Sequence, residues 1–240
     1  MLIQYDGTRY SGWQRQGNTE NTIQEKIEQA LSTLFQENVE IVGSGRTDAG
    51  VHALGQVANF RINQIPSDLN AILETINQIL PNDIAVLRLS VASPRFHARL
   101  SAKEKIYRYT VWNSQIPNVF ERRYQYQLAG HLNDRAIQDA AIRLLGTHDF
   151  SGFATGHTKK STIRNLKSIE VKREGDRVEL FFTGNGFLRN MVRIMTGTLL
   201  EVGMGLRAPE SIDDVLETCD RQKAGTTAPP QGLCLMQVLY

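Results

Sequence analysis

The ten residues Gly43-Ser44-Gly45-Arg46-Thr47-Asp48-Ala49-Gly50-Val51-His52 carry the densest chemical signal in the chain. Gly43, Gly45 and Gly50 let the backbone turn sharply or approach a ligand closely. Among them stand one cation, Arg46, and one carboxylate, Asp48, two positions apart. Three familiar loop chemistries do not fit. A Walker phosphate loop ends in GK[ST], and this one does not. A dinucleotide loop opens a helix, whereas Val51, Ala53 and Val57 read as a strand. A calcium loop needs three or more oxygen ligands, and Asp48 with Ser44 or Thr47 supplies too few. On the residues alone two readings stay open: a wide β-hairpin loop with a turn-forming Asp, or a loop that does chemistry through its carboxylate.

The other reactive residue types exclude more than they propose. The five histidines, His52, His97, His131, His148 and His157, show no HExxH or zinc-finger spacing, so no metal site is expected. His52 is expected to hydrogen-bond structurally. Cys219 and Cys234 form no CxxC pair and read as reduced thiols of a cytoplasmic protein. With 240 residues, 41% hydrophobic and 22% charged, the chain is one large domain or two small ones, able to fold without a disulfide. It has no apolar run of about 18 residues, so no membrane span is expected. Its opening, MLIQYDGTRY, lacks the charged and apolar regions of a secretion signal.

The net charge of +2 says little, but its distribution is uneven. Residues 1–45 hold six acids against three bases. Residues 88–125 hold eight bases against Glu104 and Glu121, and residues 157–193 hold nine bases against four acids. Two basic tracts in a near-neutral chain form either a polyanion-facing surface or ordinary solvated strand faces.

The elements that must position the loop follow from periodicity. Leu2 to Tyr5 reads as a strand, and Asp6-Gly7-Thr8 as a turn. Thr22 starts a helix along Ile23, Ile27, Ala30, Leu31 and Leu34, with Glu25 at capping-box spacing. Val39 to Val42 and Val51 to Phe60 read as strands flanking the loop. A helix from Ser67 presents Leu69, Ile72, Leu73, Ile76, Ile79 and Leu80 and stops at Pro81. Ile84 to Leu89 is a strand. The order is β-α-β-β-α-β, and the second half repeats it. Lys105 to Trp112 is a strand. Asn133 caps a helix with Ala136, Ile137, Ala140, Ala141, Leu144 and Leu145 on one face, ended by Gly146. Strands at Leu166–Val171 and Val178–Phe182 flank a Glu174-Gly175-Asp176 turn. A helix runs from Leu188 to about Val202, a short one follows Pro209, and Leu233 to Tyr240 closes as a strand. Two ferredoxin-like halves fit this order, and clefts between such halves favour active sites. The long loops at 113–131 and 220–232 are candidates to cover a ligand.

The segment Gly45-Arg46-Thr47-Asp48-Ala49-Gly50-Val51-His52-Ala53 resembles the signature of the TruA family, pseudouridine synthases that act on the anticodon arm of tRNA. Further segments resemble the same family in order along nearly the whole chain. They are Tyr5-Asp6-Gly7-Thr8 with Ser11 to Gln16, Phe96 to Arg99, Lys105 to Tyr109, His148 to Ser151, Gly186 to Arg193, and Ala228 to Leu233. Family members carry a few more residues ahead of the Tyr-Asp-Gly segment, whereas here Met1 already lies at the start of that strand, so either the sequence starts late or the first strand is short. The resemblance implies an α+β pseudouridine synthase fold. Two ferredoxin-like halves, 1–100 with the catalytic loop and 101–240, would join into one extended mixed or antiparallel sheet. Helices would lie on one side and an active-site cleft between the halves.

The resemblance also implies roles. Pseudouridine formation is an isomerisation without redox change, so no cofactor is expected. Asp48 is implied as the nucleophile, since a carboxylate can attack and later depart. A buried carboxylate keeps its charge best beside a cation; the family pattern points to Arg193, with Arg189 as second choice. Arg189 is expected one helical turn earlier on the same face. Arg46 is implied to hold the phosphate or fill the gap when the target uridine is flipped out. Tyr107 is implied to stack on the target base, while Tyr109 fits the core. Arg88, Arg95, Arg99, Lys103, Arg122, Arg123, Lys159, Lys160 and Arg164 are candidate phosphate contacts. The implied partner is tRNA, at positions 38, 39 and 40, and the implied assembly a cytoplasmic homodimer. Two rivals are a non-catalytic RNA-binding module with the same doubled fold and a related synthase with another RNA target.

Overall fold

Helix and strand starts follow local chemistry in the first part of the chain. The Glu25 N–H donates to Thr22 Oγ1 at 3.3 Å and starts α1 (Ile23–Phe35). The second helix, α2 (Leu69–Ile79), starts two residues later than Ser67, where the spacing predicts it. Asp68 is its cap, and Asp68 Oδ1 accepts the N–H groups of Asn70 and Ala71 at 2.9 and 3.1 Å. A carboxylate at that position satisfies two of the orphan donors of a helix start. Of its predicted apolar face Ile76 and the C-cap Leu80 are buried, whereas Ile79 is 41% exposed.

The computed structural model describes residues 1–156 and 161–240. The chain divides into two units, Met1–Lys103 with Leu235–Tyr240, and Glu104–Cys234. In the first unit the strands are β1 (Leu2–Tyr5), β2 (Ile41–Gly43), β3 (His52–Phe60) and β4 (Ile84–Arg88). They lie in the order β4-β1-β3-β2 with every neighbour antiparallel. This is a ferredoxin-like half with the expected β-α-β-β-α-β succession. Strand β2 sits two residues later than Val39, because its register is set by pairing Ile41 with Phe60 and Gly43 with Ala58. Ile3, Ile23, Ile27, Leu31, Ala58, Ile76, Ile84 and Val86 fill the core between sheet and helices. Each large side chain so buried contributes about 1.5–3 kcal/mol.

The second unit contains β5 (Glu104–Trp112), β6 (Tyr126–Gln127), α3 (Asp134–Arg143), β7 (Gly146–Asp149), β8 (Ile163–Glu174), β9 (Arg177–Gly184), α4 (Met191–Gly203) and α5 (Ser211–Thr218). Strands β5, β9, β8 and β7 are antiparallel neighbours in that order, and β6 runs parallel to β5. The short strands β6 and β7 are insertions into the predicted succession. Strand β10 (Leu233–Leu239) closes the chain and, from Leu235, counts with the first unit beside β3. The second core gathers Tyr109, Ile137, Leu144, Phe150, Phe153, Leu180, Phe182, Ile194 and Leu199.

The start of a further predicted element is corrected as well. Helix α4 begins at Met191, not Leu188, because Asn190 adopts left-handed angles, φ 60 and ψ 2. A residue in that conformation ends any helical run before it. Arg189 therefore lies in the turn ahead of the helix, and the expectation that it shares a helix face with Arg193 does not hold. Among the described residues no helix is long and apolar enough to cross a membrane.

Candidate active site

Asp48 lies in the loop between β2 and β3, a segment with no hydrogen-bond ladder of its own. Its shape comes from the opening segment of the same unit. The Trp13 N–H donates to Thr47 O at 3.0 Å, and Tyr5 Oη hydrogen-bonds Thr47 Oγ1 at 2.9 Å. The buried Trp13 indole, 5.9 Å from the Tyr5 ring, covers Gly43, where a Cβ would lie 2.7 Å from the indole. Gly12 has φ +94, and a Cβ there would lie 2.8 Å from Thr47 O. Gly12 is thus required twice, for its backbone angle and for the close approach.

The other side of the loop is held by β3. Ser44 N–H donates to Val57 O at 2.7 Å. Ser44 Oγ donates to Gln56 Oε1 at 2.6 Å, and Gln56 Nε2 donates to Gly45 O at 3.0 Å. Gln56 is fully buried, so these bonds answer its desolvation. Val51 N–H returns to Asp48 O at 3.2 Å and closes the turn. Asp48 itself is half-buried and Arg46 exposed. Arg46 Nε donates to Gln14 Oε1 at 3.0 Å. His52 is buried; its Nδ1 accepts the Gly7 N–H at 3.1 Å and lies 3.1 Å from Asp6 Oδ1, tying the end of the loop to the turn after β1.

In the second unit the predicted residues ride on regular elements. Tyr107 on β5 is buried, and its ring meets Phe187 edge-on at 5.2 Å and 85°. Tyr109, two positions along, is wholly buried; Tyr109 Oη donates to Pro229 O at 2.7 Å. Burial above all pushes the Tyr109 phenol far up from its ordinary range, against an opposing pull from Arg193. It is a core residue. Arg193 is half-buried on α4, with Nε donating to Ala228 O at 2.7 Å and Nη1 to Asn190 Oδ1 at 2.9 Å.

The Ala228 carbonyl is carried by a strap laid along α4. Gly225 N–H donates to Thr198 Oγ1 at 2.9 Å, and Thr226 N–H to Glu201 Oε1 at 2.7 Å. Arg207 Nε holds the other Glu201 oxygen at 3.0 Å. Gly197 admits the strap, since a Cβ there would lie 1.8 Å from Thr226 O. Part of the 220–232 loop thus packs against Arg193's own helix. Arg189 is exposed, and its carbonyl accepts the Thr155 N–H at 3.2 Å.

Residues that sequence reasoning gave no role are the braces: Gly12, Trp13, Gln14, Gln56, Asn190 and Glu201. Gln56, a polar residue inside an apolar strand run, was the one visible sign. Of the candidate phosphate contacts, Arg88, Arg95, Arg99, Lys103, Arg122 and Arg123 are exposed. Arg164 Nη1 donates to Ser161 O and Ile163 O, and Lys159, Lys160 and His157 lie outside the described residues. Within the same tract Lys167 pairs with Glu104 at 2.9 Å, Arg173 with Asp134 at 2.5 Å, and Arg177 with Glu121. Those three bases are partly neutralised strand charges. An apolar cavity of about 780 Å³ in the first unit is lined by Phe35, Phe60, Leu69, Ile72, Phe96 and Met236 among others; Arg88 reaches it, but Asp48, Arg46, Tyr107, Arg189 and Arg193 do not line it.

Comparison with known proteins extends over the full length. Residues 1–99 and 140–240 match the family model described as tRNA pseudouridine synthase. A Bacillus anthracis protein named tRNA pseudouridine synthase A 2 is 44% identical over 241 residues, covering 100% of this chain and 98% of its own. Proteins named tRNA pseudouridine synthase A from Geotalea uraniireducens and Acetivibrio thermocellus are 45% and 44% identical, each over 100% of this chain and 98% of its own length.

Proposed function

The chain belongs to the tRNA pseudouridine synthase family, and on that premise we propose that it converts uridine to pseudouridine at positions 38, 39 and 40 of the tRNA anticodon stem-loop, with Asp48 as nucleophile. It is an isomerase with the α+β pseudouridine synthase fold. In the reaction the uracil leaves through N1, turns, and rejoins the same ribose through C5. The N1–C1′ bond breaks and a C5–C1′ bond forms, a proton is lost from C5 and one is taken up at N1. The composition is unchanged and no electrons enter or leave, so the proposal includes no cofactor. A carboxylate suits the step because it attacks as an anion and departs as one.

The observation that supports Asp48 most is the bracing of its loop. A glycine-rich segment left to itself would sample many conformations. Here Trp13, Tyr5, Gly12 and Gln56 fix its backbone on both sides. Such framing is what a residue needs to be held in attacking geometry. The family pattern adds Arg193 as the guanidinium that keeps the carboxylate charged, Tyr107 as the ring that stacks on the base, and Arg46, with Arg189, as contacts to the RNA. The proposed working form is a cytoplasmic homodimer on tRNA.

The test is pseudouridine mapping on an unmodified tRNA transcript with the wild-type protein and with Asp48→Asn. The wild type should modify the anticodon arm, and the variant should lose more than about a thousandfold in rate while still binding the RNA. Pseudouridine elsewhere would keep the chemistry and overturn the target. A well-folded, RNA-binding wild type that makes none would leave a binding module in its place.

A further inference from the structure

Arg46 is exposed, yet it ends a directed chain of hydrogen bonds that starts at a buried carboxylate. Glu28 is 5% exposed. Glu28 Oε1 accepts the Ile41 N–H at 2.9 Å and Gln24 Nε2 at 2.8 Å, and Arg15 pairs with Glu28 Oε2 at 3.3 Å. A carboxylate in an ion pair has no proton to give, so Gln24 must turn its NH₂ toward it. Gln24 Oε1 then faces the other way and accepts Gln14 Nε2 at 2.6 Å and the Arg15 N–H at 3.0 Å. With its own NH₂ committed, Gln14 presents Oε1, which accepts Arg46 Nε–H at 3.0 Å. Each amide has one orientation that satisfies both neighbours, and the carboxylate sets them all.

We propose that Gln14, locked by Gln24 and Glu28, is a positioning residue that holds the Arg46 guanidinium ready for the RNA. The inference rests on the reading of Arg46 as an RNA contact. A solvated Arg loses rotamer entropy on being ordered. An acceptor already in place takes that cost out of the step in which the uridine leaves the stack. The bond engages Nε alone, so the terminal nitrogens stay available for a two-pronged phosphate contact. The acceptor also lies 32 positions from Arg46 in sequence, so the loop needs no acceptor of its own.

The experiment is a double-mutant cycle on the full chain with an unmodified tRNA transcript, reading the single-turnover rate at saturating RNA, the RNA Kd and the thermal midpoint. Gln14→Met should lower the rate about tenfold, the loss of one charge-assisted hydrogen bond, with Kd and thermal midpoint nearly unchanged. Gln14→Glu keeps an acceptor for Arg46 but loses the NH₂ that Gln24 Oε1 accepts, so it should recover part of that rate and not all of it. In an Arg46→Met background, Gln14→Met should cost nothing further. A wild-type rate for Gln14→Met, or an undiminished loss in the Arg46→Met background, would overturn the proposal while leaving Arg46's role intact. A wild-type rate for Arg46→Met alone would overturn the premise and the proposal together.

Discussion

The two units fix their chemically relevant side chains by opposite means. In the first, Asp48 and Arg46 ride on an irregular loop, and the groups that shape it come from far away in sequence: Tyr5 is 42 positions from Thr47, and Gln14 is 32 from Arg46. In the second, Tyr107 and Arg193 ride on a strand and a helix whose own ladders place them, with a strap added over the helix. The difference teaches where sensitivity lies. A fault in the braces of the first unit moves the proposed nucleophile while most of the core stays packed. A fault near the second unit's elements is felt first as lost stability.

The sharpest way to break that contrast is a pair of glycine substitutions. Gly12→Ala places a Cβ 2.8 Å from Thr47 O at a φ of +94. The turnover rate should fall on the order of a hundredfold, the cost of about 1 Å of misplacement, with roughly 1–2 kcal/mol of stability lost to the strained φ. Gly203→Ala, in α4, meets the ends of the Ile137 and Leu132 side chains at 2.7 Å. It should cost about 1–3 kcal/mol by overpacking and leave the rate of the folded protein nearly unchanged. Denaturant melts and single-turnover rates on the same preparations decide the matter. Equal losses of rate in both variants would sink the contrast.

A smaller effect sharpens it within the second unit. Tyr107 is held edge-on by Phe187, so its ring, not its hydroxyl, carries the proposed stacking. Tyr107→Ala should lose roughly ten- to a hundredfold in rate, as the removal of one base-stacking ring implies. Tyr107→Phe should stay within a few-fold. A Phe variant as slow as the Ala variant would transfer the role from the ring to the hydroxyl.

The same division explains what was legible in the sequence. Elements with local causes could be read: Thr22 and Asn133 cap their helices where spacing places them, and the β-α-β-β-α-β order of the first half stands. The start of α4 was misplaced because Asn190, one of the few residues that accepts left-handed angles, gives no periodic sign of doing so. Strands β6 and β7 are two and four residues long, too short to show alternation. Glycine density marked the Asp48 loop. Of its braces only Gln56 shows in the sequence, since a contact between Trp13 and Thr47 obeys no helical or strand period.

The smallest effect applies the rule to a loop of the second unit that is braced from close by. Asp149 ends β7, and Asp149 Oδ1 accepts the Ser151 N–H two positions on at 2.9 Å. Burial pushes this carboxyl up, but hydrogen bonds from Ser151 and Thr162 outweigh it and hold the group below its ordinary value of 3.8. A depressed carboxyl stabilises the fold above its unfolded value and loses that contribution as pH falls through its folded one. Asp149→Ala should therefore cost about 0.5–1 kcal/mol near neutral pH, at the low end because the group is mostly exposed and screened. The gap between wild type and variant should narrow in acid, once the wild-type carboxyl takes up its proton. Denaturant titrations at neutral and acid pH measure it, beside a turnover assay at neutral pH that should not change. A gap that widened in acid would contradict the sign. A fall in turnover would show that even a locally braced loop transmits its state to the site, and the contrast between the two units would lose its basis.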